Sequence, residues 1–318
     1  MDSTYKIGKV YLIGAGPGDP KLLTIRAAEA LAASDVIVYD YLVNPEVLVH
    51  SRRGATLIFA GKRAGERSIP QSEINRILID SARSGQVVAR LKGGDPFIFG
   101  RGGEEAEALV DAGIAWEVIP GVSSGLAAAA YAGIPLTHRD HSSSVAFITG
   151  HDGHDGGDKT RNGVDWSRAA LAADTLVVFM CASTIGRIAQ DLIAAGRSGS
   201  TPIAIIRWGT YECQEVYTGS LEEVALGAQS LGAQASSLLN DEEPGGEGLS
   251  IRPPAIAIIG EVVSLREKLK WFSHESEHRL AVDSDAVETV PRSETELRSE
   301  TELRSETVSR SETELVKA

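Results

Sequence analysis

Val10-Tyr11-Leu12-Ile13 runs directly into Gly14-Ala15-Gly16-Pro17-Gly18-Asp19, and an Ala- and Leu-rich segment follows over residues 25–33. A β-type run, a glycine turn and a helical repeat in that order open an α/β unit. The turn resembles a dinucleotide-binding loop but departs from it at two positions. Asp19 stands where that loop needs its third glycine, and Pro17 has no N–H to offer a pyrophosphate. A nicotinamide site is therefore disfavoured. Working outward, further strands are expected at residues 36–39, 56–59, 87–91, 116–119, 144–149, 175–180, 203–208, 215–218 and 256–259. Helices are expected at 72–83, 104–112, 123–132, 184–195 and 221–228. This alternation predicts an α/β fold with largely parallel strands and with ligands at their carboxyl ends.

The chain of 318 residues is 42% hydrophobic and 24% charged, enough for two cores. Its formal charge of −13 argues against nucleic-acid binding and requires any anionic substrate to meet a local cationic patch. No apolar run reaches the length of a membrane span and no signal-peptide layout is present, so a cytoplasmic protein without membrane contact is expected. Two cysteines, Cys181 and Cys213, suit a reducing compartment and read as buried spectators.

The polar stretch Thr137-His138-Arg139-Asp140-His141-Ser142-Ser143-Ser144 separates two α/β stretches, giving an N-terminal domain over 1–140 and a C-terminal domain over 141–272. Long loops are expected at 151–163 and 232–254. Residues 273–318 form an acidic low-complexity tail in which SETELR occurs at 293–298 and again at 299–304. A six-residue unit cannot line up its leucines on one helix face, so the tail is expected to be disordered, with no partner identified for it. His151, Asp152, His154, Asp155 and Asp158 have metal-ligand chemistry but sit in a Gly-rich loop without supporting partners, so no metal is expected. Trp166, Trp208 and Trp271 read as packing residues.

A second glycine cluster, RLKGGDPFIFGRGGEE at 90–105, again follows a strand. Paired glycines allow close backbone approach to a planar ligand, and Asp95 offers an acceptor. These two clusters, with YDYLV at 39–43, GKR at 61–63, PGVSSG at 120–125, AYAGIPLTHRD at 130–140, RWGT at 207–210 and GEVVSLREKLKWF at 260–272, resemble the uroporphyrinogen-III C-methyltransferase family of tetrapyrrole methylases. The motif order is unbroken.

The resemblance implies two α/β domains with S-adenosylmethionine between them, usually in a homodimer. It implies methylation of uroporphyrinogen III at C2 and then C7, giving precorrin-2 by way of precorrin-1, toward sirohaem or cobalamin. Carried over residue by residue, the methyl-donor contacts fall on Pro17, Gly93, Gly94, Asp95, Ile98, Ser123, Ser124, Met180, Gly209 and Ala255. Ser123-Ser124 replaces a pair that is commonly Thr-Ala, and the insertion before Ala255 weakens its alignment. Asp40 resembles the proton acceptor and Lys62 the proton donor. Arg63, Arg67, Arg101, His138 and Arg139 lie in motif loops where a cationic rim would meet the substrate's carboxylates. Another precorrin methylase or a diphthine-synthase relative would share the donor loops; LTHRD, YDYLV and GKR argue against it. An interaction protein acting through its tail is the remaining alternative. A monofunctional enzyme is expected, with no fused dehydrogenase, ferrochelatase or synthase domain.

Overall fold

The computed structural model describes residues 8–61, 69–151, 164–232, 251–272 and 276–279. The first sheet contains β1 (Lys9–Gly14), β2 (Val36–Tyr39), β3 (Thr56–Phe59), β4 (Val87–Lys92) and β5 (Ala115–Ile119), all parallel and ordered β3-β2-β4-β1-β5. Parallel strands must be joined by crossovers; α1 (Ile25–Ala33), α2 (Gln71–Arg83) and α3 (Gly102–Asp111) supply three of the four, and a 3-10 helix over Pro45–His50 lies in the β2–β3 connection. The two-residue side-chain period sends Val10, Leu12, Val36, Val38 and Val88 to one face, against Ile74 and Leu78 of α2 and Leu109 of α3. Ile13, Ile37, Ala89 and Leu91 face the other way, against Ala27 and Leu31 of α1. Thr24 starts α1 by accepting a hydrogen bond from the Ala27 N–H at 3.2 Å.

The second sheet contains β6 (Val145–Thr149), β7 (Thr175–Phe179), β8 (Pro202–Arg207), β9 (Glu215–Ser220), β10 (Ala255–Ile259) and β11 (Ser276–Arg279), ordered β11-β9-β8-β10-β7-β6. It is mixed, which corrects the expectation of largely parallel strands for this half. β6 and β7 are parallel, as are β9 and β11, whereas β8 pairs antiparallel with β9 and β10 pairs antiparallel with both β7 and β8. The reason for the β8–β9 hairpin is the short connection over 208–214, which has no room for a crossover helix. β11 is a second correction, because it lies inside the segment expected to be disordered. β9 would otherwise offer a row of unpaired main-chain groups, and ladder pairing needs no apolar composition. The remainder of the repeat tail and the loop residues 152–163 lie outside the described residues.

The helices α5 (Trp166–Ala169), α6 (Ile185–Ala194) and α7 (Leu221–Gly232) cover one face of this sheet. Its core joins Trp166, Ile188 and Leu192 to Leu176, Val178, Ile203 and Ile205. The other face receives α4 (Ser124–Tyr131), whose Ala128 and Ala129 pack with Ala204, Ile206 and Ile258. α4 thus starts at the carboxyl end of β5 and lies on the second sheet. Its small side chains make that approach possible: a Cβ at Gly125 would lie 2.5 Å from Phe179 Cζ. Just beyond α4, Arg266 of α8 (Arg266–Leu269) donates to the Ala132 carbonyl and ties the end of the chain's second half back to it.

Candidate active site

Three glycine turns leave the carboxyl ends of β1, β4 and β5 and meet backbone to backbone. Gly16 and Gly94 form a two-way bridge, the Gly94 N–H donating to the Gly16 carbonyl at 2.7 Å and the Gly16 N–H to the Gly94 carbonyl at 3.2 Å. Gly94 adopts φ +67, a conformation that favours glycine. Asp95 fastens the arrangement, accepting from the Phe97 N–H at 2.9 Å through Oδ1 and from the Gly121 N–H at 3.1 Å through Oδ2. Ser123 caps the start of α4 and is buried, and Ser124 lies against Gly94, its Oγ 3.1 Å from where a Cβ would stand.

Asp19 has a different role from the one suggested by its charge. Its carboxylate caps the turn after the first glycine loop by accepting from the Lys21 N–H at 2.9 Å, and it accepts from the Tyr131 hydroxyl of α4 at 2.7 Å. Its own N–H donates to Thr210 Oγ1 at 3.0 Å. The first glycine loop is thereby bound to both α4 and the loop after β8. Burial, and then the hydrogen bond to Asp19, push the Tyr131 phenol up to about 12. We expect Tyr131→Phe to lower stability by about 1 kcal/mol, read from the urea unfolding midpoint, because Asp19 loses one partner and no atom clashes. An unchanged midpoint would show that this tie contributes nothing.

From the second sheet, Met180 follows β7 and Trp208, Gly209 and Thr210 follow β8. Met180, one of the expected donor contacts, is half exposed. Among the described residues, the non-glycine residues with left-handed backbone are Phe99, Arg101, Met180, Trp208 and Thr210. All five lie in turns just beyond strand carboxyl ends, where stored backbone strain commonly marks a binding site. Phe99 stacks on Phe179 with ring centroids 4.9 Å apart, which brings the Phe97-Ile98-Phe99 turn to the end of β7. Gly209 abuts α4, where a Cβ would meet Ala128 Cβ at 2.7 Å. Ala255 opens β10 opposite Arg207, and its carbonyl lies 3.8 Å from Cys181 Sγ. Of the expected donor contacts, those on the β4 and β5 turns meet around Gly94, and the Phe99–Phe179 and Gly209–Ala128 approaches bring the ends of β7 and β8 beside the first sheet's turns and α4. Phe97, Ile98 and Met180 leave exposed apolar side chains at these turns.

Asp40 stands just beyond β2, beside the GGDP turn. Its carboxylate is held by Arg90 Nη2 at 2.6 Å and faces Lys92 Nζ at 3.6 Å. Val88, Arg90 and Lys92 alternate onto the face covered by α3, so both cations also reach Glu105. Arg90 Nε lies 2.9 Å and Lys92 Nζ 3.1 Å from Glu105 Oε1, which also accepts from Gln71 Nε2 at 3.0 Å. Burial opposes the Arg90 charge, but Asp40 and Glu105 outweigh it and hold the guanidinium above its ordinary pKa. In the sequence, Arg90 and Lys92 are basic residues beside the second glycine cluster and Glu105 is one of two acids that follow it, with nothing local to join the three. Two basic residues in a central strand, with an acid one turn into the following helix, are the pattern that identifies the cluster.

The cationic rim is only partly assembled. Arg101 pairs with Glu104 at 2.7 Å, while His138 and Arg139 lie in a turn closed by the His138 and Ser142 backbones. No hydrogen bond or ion pair among the described residues joins Arg101 to that turn. Lys62, Arg63 and Arg67 lie outside the described residues, as do Asp152, His154, Asp155 and Asp158. Cys213 corrects its expectation, being only half-buried, whereas Trp271, although largely exposed, packs edge-on against Tyr131 with ring centroids 5.0 Å apart and donates to the Ala130 carbonyl at 2.9 Å. No described helix is long and apolar enough to cross a membrane.

A parallel sheet and a mixed sheet joined by α4, with glycine turns knitted at their strand ends, define a two-sheet α/β protein with its candidate site where those turns meet. The chain belongs to the tetrapyrrole (corrin/porphyrin) methylases, whose family model matches residues 9–225. It is similar to siroheme synthase 2 of Aeromonas salmonicida, 48% identical over 271 residues, which are 85% of this chain and 51% of that protein. Siroheme synthase of Zymomonas mobilis is 47% identical over 272 residues, 86% of this chain and 52% of that one. The chain thus spans about half the length of the curated relatives it matches. Among solved structures it is similar to uroporphyrin-III C-methyl transferase from Thermus thermophilus complexed with S-adenyl homocysteine, at 36% identity and a TM-score of 0.65, covering 81% of this chain and 100% of that one.

Proposed function

We propose that this chain transfers methyl groups from S-adenosylmethionine to C2 and C7 of uroporphyrinogen III, forming precorrin-2 by way of precorrin-1 and feeding sirohaem or cobalamin synthesis. The observation that carries this reading is the likeness to the Thermus thermophilus enzyme over that protein's whole length. S-adenosylmethionine supplies an electrophilic methyl on a sulfonium that leaves without an acid. The protein's task is then placement: the turns at Pro17, Gly93-Gly94, Ser123-Ser124 and Gly209 hold the donor against an electron-rich pyrrole carbon, and positioning of this kind can supply about 7 to 11 kcal/mol. Asp40 accepts the proton that the methylated ring sheds, and Lys62 returns one. Arg63, Arg67, Arg101, His138 and Arg139 bind substrate carboxylates as charge-assisted pairs.

The working form is read as a cytoplasmic homodimer. The presence of only two cysteines in the chain favours a reducing compartment, and the resemblance favours the dimer, which light scattering tests. The function itself is tested by incubating the full chain with anaerobically generated uroporphyrinogen III and S-adenosylmethionine, followed by mass analysis. The expected product is heavier by two methyl groups. Absence of transfer, with the donor still bound in calorimetry, would overturn the substrate assignment and leave the donor site standing.

A further inference from the structure

We infer that Glu105 is a positioning residue for Asp40, acting through Arg90 and Lys92 to keep that carboxylate aimed. This deepens the reading of Asp40 as the proton acceptor and rests on it. Glu105 is wholly buried, and among the described residues its Oε2 has no hydrogen-bond partner. A buried carboxylate oxygen left unpaired is costly, so a residue there only to fill space would be poorly chosen. What the anion supplies is charge. Arg90 and Lys92 are both buried, and each is shared between Asp40 and Glu105. Without Glu105 the two cations would keep Asp40 as their only carboxylate partner among the described residues and would no longer be held in place behind it.

The described groups facing Asp40 are Arg90 and Lys92 from β4, with Glu105 of α3 behind them and the neutral amide of Gln71 from α2. Tyr41 and Leu42 follow it in the chain and are exposed. Lys62, Arg63, Glu66 and Arg67, which follow β3, lie outside the described residues. Two substitutions should therefore move the pH profile in opposite directions. Glu105→Gln removes an anion from the cluster and Lys92→Met removes a cation. The acid limb of activity is therefore expected to move down in Glu105→Gln and up in Lys92→Met, each by about one pH unit.

The experiment is single-turnover methyl transfer to uroporphyrinogen III by the full chain across pH, with S-adenosylhomocysteine binding by calorimetry and thermal unfolding measured alongside. For Glu105→Gln we expect the plateau rate to fall about tenfold while S-adenosylhomocysteine affinity is unchanged. Should Glu105→Gln fail to fold, the direction of the Lys92→Met limb decides. Limbs that stay in place in the folded variants, or a rate loss no larger than the lost folded fraction, would overturn the role of Glu105. Asp40→Ala separates the two readings. If it transfers methyl groups at the full rate, the assignment of Asp40 fails; if it is slow while Glu105→Gln keeps the normal rate and limb, only the inference on Glu105 fails.

Discussion

Replacing Asp40 by alanine is expected to slow methyl transfer by about 10²- to 10⁴-fold, the usual contribution of a positioned acid or base, while leaving the donor's affinity unchanged. The structure separates the two effects. Asp40 belongs to the first sheet's strand ends but makes none of the contacts that knit the glycine turns; its N–H donates to the Leu91 carbonyl, a bond alanine keeps. Its side chain can be removed without stranding a buried cation, because Arg90 and Lys92 both retain Glu105. The fold should therefore survive, and rapid-quench transfer combined with calorimetry of S-adenosylhomocysteine reads the result. A rate within about twofold of the native enzyme would remove Asp40 from the chemistry, since no general base contributes so little. A parallel loss of donor affinity would instead make it part of the donor site.

The two halves of the chain differ in how far their structure can be read from sequence, for a physical reason. Every strand of the first sheet is a short β-branched or apolar run followed by a glycine or polar turn, and all crossovers are helical, so pattern and connection length agree. In the second sheet the runs over 203–208, 215–218 and 256–259 are equally clear as strands. Their direction, however, depends on connection lengths and on β10 inserting between β8 and β7, a nonlocal outcome. β11 has polar residues and pairs through main chain alone, which hydropathy does not register. The site divides similarly. Glycines at 14, 16, 93, 94 and 121 are visible as turn residues, but that they meet one another is a property of strand order. Glu105 is one of two adjacent acids at a helix start; burial distinguishes it from exposed Glu104, and burial follows from which helix face meets the sheet. The Asp19, Thr210 and Tyr131 tie spans residues far apart in sequence and has no local signal.

Replacing Gly94 by valine is expected to weaken S-adenosylmethionine binding by about 100-fold or more. Two costs coincide there. At φ +67 an L-residue pays about 1 to 2 kcal/mol, and a β-branched one pays more because its second γ-carbon crowds the backbone. The new Cβ would also stand 3.1 Å from Ser124 Oγ and 3.4 Å from Ser124 N, before its methyls are counted, and such overpacking typically costs about 1 to 3 kcal/mol more. Relief requires the 93–95 turn to move, yet both main-chain groups of Gly94 are bonded to Gly16, and its carbonyl lies against Gly121. The displacement is therefore passed to the β1 and β5 turns, which hold Pro17 and Ser123. At 1.4 kcal/mol per tenfold, about 3 kcal/mol of misplacement reaches the predicted loss. Gly103→Ala provides the contrast: a Cβ there meets nothing within 4 Å, so that variant should gain about 0.4 to 1 kcal/mol of stability and keep its donor affinity. Calorimetry with S-adenosylhomocysteine decides the matter, because native affinity in a folded Gly94→Val protein would mean that the donor does not rest on this turn.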